Sequence, residues 1–152
     1  MDNDARLPRL LADLKRVIDS EGSGIICEPS GIGLKIEDNR DTEEQQTGGM
    51  STAAELTEDG DILLILRITP PIPIKYESDA RNYLLPLCDE YDLIFKEAKN
   101  GDTMQFGVAV RFRWYRDKTA LFDAFDHNYT LLGRFNAEQA TNIGRWLAKN
   151  EL

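Results

Sequence analysis

Leu7, Leu10, Leu11, Leu14, Val17 and Ile18 recur at the i, i+3, i+4, i+7 spacing of one helical face. Arg6, Arg9, Asp13, Lys15, Arg16 and Asp19 fill the remaining faces. This predicts an N-terminal helix capped by Asn3 or Asp4, with Pro8 in its first turn and Gly22 as its stop. The period then changes. Residues 24–28 and 32–36 read as a hairpin around Pro29-Ser30-Gly31, with Ile32, Leu34 and Ile36 on one face. Residues 38–59 have little apolar content and no period, which predicts a long mobile loop. Ile62 to Ile68 is an almost unbroken apolar run, as expected of a central strand. Pro70, Pro71 and Pro73 are expected to end its pairing, because proline has no N–H to donate.

A second helix is predicted from Ser78, with Ala80, Leu84, Leu87, Cys88 and Tyr91 inward and Pro86 kinking or shortening it. Residues 93–98 form a strand, and Asn100-Gly101 reads as a two-residue hairpin turn. The returning strand alternates strictly. Met104, Phe106, Val108, Val110, Phe112 and Trp114 face one way, and Gln105, Gly107, Ala109, Arg111, Arg113 and Tyr115 the other. Beyond it, Asp126-His127-Asn128 reads as a polar turn and 129–132 as a strand. A last helix is expected from Asn136, with Gln139 completing a capping box. Antiparallel neighbours with segregated helices define an α+β fold. The expectation is one domain over 1–152: a mainly antiparallel sheet of about five to six strands with an N-terminal, a middle and a C-terminal helix packed on it.

Charge adds a feature that the periodicity does not show. The 152 residues hold 27 acids against 18 Lys and Arg, a formal net charge of −9. The excess is local. Residues 37–61 carry nine acids and one base, whereas 99–118 carry five bases and two acids. An acidic chain disfavours nonspecific nucleic-acid binding. No apolar run approaches the roughly 18 residues that span a bilayer, and the acidic start lacks a signal-peptide pattern, so a cytoplasmic protein without membrane contact is expected. Cys27 and Cys88 form no Cys-x-x-Cys and read as buried thiols.

Tests for chemistry are negative. His127 is the sole histidine, and nothing supplies a zinc ligand set or a nucleophile elbow. Gly31-Ile32-Gly33 with Lys35 lacks phosphate-loop spacing, and Asp59-Gly60-Asp61 lacks the calcium-loop pattern. Arg67-x-x-Pro70-x-x-Pro73 has the form of a polyproline ligand, but its position at a strand end favours a strand terminator. No cofactor or metal is expected.

Apart from the extra strand at 129–132, the predicted order resembles the helix, three strands, helix, two strands, helix of class I type III secretion chaperones and their bacterial regulator relatives. The segments 7–18, 24–28, 32–36, 62–68, 78–91, 93–98, 103–115 and 136–148 fill it. The resemblance implies a small, acidic, dimeric protein whose apolar patches cradle a partner segment.

The leading expectation is therefore a non-enzymatic protein-interaction module: a chaperone, an adaptor, or an acidic inhibitor or immunity protein. Its expected contact residues are Glu37, Asp38, Asp41, Glu43 and Glu44, together with Arg111, Arg113 and Tyr115 on the outward face of the long strand. Basic surface on a partner protein would speed encounter with the acids. Arg111 and Arg113 would otherwise solvate the sheet or pair with acids of the 37–61 segment. Two alternatives stand beside this: a small-ligand or enzymatic domain with an anion site near Arg111 and Arg113, and a nucleic-acid mimic. Apolar surface on the long strand or first helix is compatible with a homodimer.

Overall fold

The structure is a computed structural model that describes residues 8–22, 24–38 and 52–149. Asn3, Asp4, Asp41, Glu43 and Glu44 lie outside them. The described elements are α1 (Arg9–Glu21), β1 (Ile25–Ser30), β2 (Gly33–Asp38), β3 (Thr52–Leu56), β4 (Ile62–Pro73), a 3₁₀ turn (Ile74–Tyr76), α2 (Glu77–Tyr91), β5 (Ile94–Asn100), β6 (Thr103–Phe112) and α3 (Lys118–Lys149). The six strands form one sheet in the order β1-β2-β3-β4-β6-β5, with every pairing antiparallel. This is an α+β fold with N-terminal, middle and C-terminal helices, as expected.

Strand alternation decides which side of the sheet is covered. Cys27, Leu34, Ile36, Ala54, Ile62, Leu64, Leu66, Phe106, Val108 and Val110 share one face and are buried. Leu11, Leu14, Val17 and Ile18 of α1 and Leu121, Phe125, Tyr129, Leu132 and Phe135 of α3 join them in a single core. Each fully buried Leu, Ile or Phe contributes roughly 1.5–3 kcal/mol, so this face supplies most of the driving force for folding.

Several local expectations are corrected. Residues 52–56, read as part of a loop, form β3 between β2 and β4. The strand is short and rich in alanine, so it carries little apolar signal of its own. It brings the strands before the middle helix to four. Asp126-His127-Asn128 is not a turn, and 129–132 is not a strand; both lie inside the 32-residue α3. Asp126 and His127 are exposed, with Phe125 and Tyr129 buried to either side. The Asn128 amide donates to the Ala124 carbonyl (2.7 Å), so its polarity is satisfied within the helix. The true start is Asp117, whose carboxylate accepts from the Ala120 N–H (2.9 Å). Gln139 caps nothing; its amide donates to the Tyr91 hydroxyl (2.9 Å), which itself donates to Glu138 (2.6 Å) and ties α2 to α3.

The prolines do not end β4. Pairing with β6 breaks after Ile68 and resumes at Ile72 opposite Met104, a register irregularity at the donor-free prolines. Gln105 bridges the break by donating to the Ile68 carbonyl (2.8 Å). Ile32 is not on the inward face of the hairpin. It occupies the turn between β1 and β2 and is 75 % exposed. The second hairpin turn is Gly101-Asp102, one residue beyond the expected pair, and Gly101 takes the required positive φ of 62°. β6 stops at Phe112, leaving Arg113, Trp114 and Tyr115 in the connection to α3.

Candidate functional site

The second face of the sheet carries no helix among the described residues. Its rows follow from strand register. Lys35, Ala53, Ile65, Ala109 and Ile94 lie in one row across β2, β3, β4, β6 and β5. On one side lies the row Arg67, Gly107, Lys96, and on the other the row Gly33, Glu55, Leu63, Arg111. Lys35, Glu37, Glu55, Arg67, Lys96 and Arg111 are all exposed, whereas Leu63 and Ile65 are half-buried. A flat strip of small and aliphatic side chains thus runs across the sheet within a charged frame.

Gly107 keeps that strip low. A Cβ there would stand 2.9 Å from the Leu66 carbonyl oxygen and 3.3 Å from Ile65 Cγ2. With no side chain between Arg67 and Lys96, a groove of about 560 Å³ forms, floored by Ile65 and Gly107 and walled by Gln105, Ala98 and the two cations. A second hollow of about 240 Å³ lies beside it over Lys35, Ala53 and Glu55 and shares Arg67 with the first.

Charge divides the face. Glu28, Glu37 and Glu55 stand on β1, β2 and β3, and Arg67, Lys96 and Arg111 on β4, β5 and β6. Glu37 pairs with Lys35 (3.0 Å), which raises the lysine pKa through that hydrogen bond. Asp38 is the last residue of β2. Arg111 is held by two carboxylates at the β3–β4 turn: its Nε donates to Asp61 (2.8 Å) and an Nη to Asp59 (2.9 Å). Those bonds raise its pKa further. Arg113 is not on the strand; it sits over the Tyr115 ring at 6.0 Å. The expected contact residues Arg111, Arg113 and Tyr115 therefore do not form one cationic row. Arg67 and Lys96 are the cations on this face without an ion-pair partner among the described residues. In the sequence Arg67 reads only as part of the Arg67-x-x-Pro70-x-x-Pro73 form at a strand end, and Lys96 stands on an edge strand with no signal of its own. Alternate-residue parity with Arg111 across the ladder is the signal that would have found them.

Both cysteines are buried. Burial pushes the Cys27 thiol up to about 12, with Asp19 adding to the shift, and raises Cys88 to about 11. Among the described residues, no three His, Cys, Asp or Glu side chains are grouped to hold a metal ion. No described helix is long and apolar enough to cross a membrane. No protein-family model matches the chain, and neither a curated protein nor a solved structure gives a significant match.

Proposed function

We propose that the chain is a non-enzymatic protein-interaction module that binds a partner protein on the uncovered face of its sheet. The observation that carries this reading is the low row of half-buried Ala53 and Ile65 and exposed Ile94, interrupted by the buried Ala109, uncovered by any helix among the described residues and framed by charges of both signs. Flat apolar surface inside a polar rim is the anatomy of a protein contact. The sheet edges fit a partner less well. β1 ends in Glu28, Pro29 and Ser30, and β5 carries Lys96, Glu97 and Lys99, the charges and proline that blunt strand addition. Glu28, Glu37 and Glu55 would meet basic residues of the partner, and the division of charge would fix its orientation. An anion site at Arg111 and Arg113 has weaker support, because Asp59 and Asp61 already neutralise Arg111.

The test is capture from host-cell extract by the wild type and by Ala53→Arg, which places a long cation on the open strip. A stoichiometric partner held by the wild type and lost by a folded Ala53→Arg variant is expected. Equal capture by both would remove the open face from the mechanism.

A further inference from the structure

A third cavity, of about 640 Å³, lies on the other side of the sheet between α1 and the start of α3. One wall is α1 from Arg9 to Ser20, and the other is Trp114, Tyr115, Arg116 and Lys118, with Leu121 beneath. Its size falls within the roughly 300–1,000 Å³ of small-molecule sites. Val17 and Leu121 give it an apolar floor, and the aromatic pair gives it a flat side.

Its charge runs against the rest of the chain. Both carboxylates in the lining are engaged: Asp13 pairs with Arg16, and Asp19 pairs with Lys15 at 2.7 Å. The nearby Asp117 carboxylate faces the Ala120 amide. Arg9, Arg116 and Lys118 are left, exposed and with no carboxylate partner among the described residues, in a chain where acids outnumber bases 27 to 18. Two of them also stand where helix physics disfavours a cation. Arg9 is the first residue of α1, which has no acid in its first turn, and Lys118 is the first of α3, directly after the capping Asp117. A positive side chain there opposes the macrodipole, whose amino end is already positive. Three cations without an ion-pair partner among the described residues line one apolar, aromatic-sided cavity.

We infer that this cavity binds a small amphipathic organic anion, its carboxylate, sulfonate or phosphate head held by Arg9, Arg116 and Lys118 and its apolar body against Val17, Leu121 and Trp114. The site is independent of the open sheet face. Trp114 lies in its wall and is one of only two tryptophans, so occupancy has an intrinsic reporter. The probe is 8-anilinonaphthalene-1-sulfonate, titrated into the full chain with tryptophan quenching and probe emission as readouts. Saturable one-to-one binding is expected. It should weaken at least tenfold in the triple variant Arg9→Gln, Arg116→Gln, Lys118→Gln, whose exposed positions leave the core intact. The uncharged analogue N-phenyl-1-naphthylamine should bind the wild type at least tenfold more weakly. Absence of saturable binding, equal binding by the folded triple variant, or equal affinity for the uncharged analogue would each overturn the inference.

Discussion

The two faces of one sheet behave as different materials, although they are made from alternate residues of the same strands. In β6, Phe106, Val108 and Val110 sink into the helices, whereas of the alternate residues Arg111 is exposed, Gln105 half-buried, and only the small Gly107 and Ala109 are buried. In β4, Leu64 and Leu66 are buried, Ile65 is half-buried and Arg67 exposed. The covered face is close-packed, so any change of volume there is felt. The open face is low and charged, and its exposed Lys35, Glu55, Arg67, Lys96 and Arg111 gain little from folding. Side chains that do not stabilise the fold are free to serve a contact, which is why the proposed function falls on this face.

The largest expected effect tests the covered side. Phe106→Ala removes a ring that is 1 % exposed, and should cost about 3–5 kcal/mol in urea denaturation. Arg111→Ala, on the opposite face of the same strand, should leave the midpoint nearly unchanged, since its ion pairs are exposed. Comparable losses at both sites would erase the distinction between the faces. Gly107→Ala is the exception that sharpens it. Although the site faces the open side, the new Cβ meets backbone at 2.9 Å, and a loss of about 1–3 kcal/mol is expected. A neutral result there would mean that the floor of the groove yields.

Smaller effects follow from titration. Cys27 and Cys88, 3 % exposed each and with thiols pushed up to about 12 and about 11, should resist iodoacetamide at pH 8 until denaturant is added. Rapid labelling of native protein would show that the covered side opens. The smallest effect belongs to the Arg81–Glu97 bridge, with two bonds of 2.7 Å joining α2 to β5. Hydrogen bonding to Arg81 lowers the Glu97 pKa. A depressed carboxylate pKa gives stability that is present above its unfolded value and lost as pH falls through the folded one. Arg81→Gln should therefore lower Tm slightly at pH 6, with the difference closing as the pH falls below about 4. A difference that persists at pH 2 would assign it to packing.

Much of this architecture is legible in periodicity. α1, β4 and β6 carry strong apolar repeats, and their inward residues Leu11, Leu14, Ile18, Leu64, Phe106 and Val108 are all buried. β3 was hidden because Thr52-Ala53-Ala54-Glu55 has small side chains and gains its place from two flanking strands rather than from its own hydrophobicity. α3 reads as broken at three polar residues, of which Asp126 and His127 lie on its solvent side and the half-buried Asn128 bonds back to the Ala124 carbonyl. The candidate site was only half legible. Arg111 lay on the outward face as expected, but its engagement by Asp59 and Asp61 depends on a turn fifty residues away in sequence. Arg67 and Lys96 come together only through register.

Methyl NMR of the chain titrated with its captured partner tests the open-face assignment most directly. The account predicts shifts at the Ala53, Ile65 and Ile94 methyls, with Ile18, Ile36 and Ile62 in the covered core unmoved. Shifts confined to the outer faces of α2 and α3, with the open-face methyls silent, would contradict it.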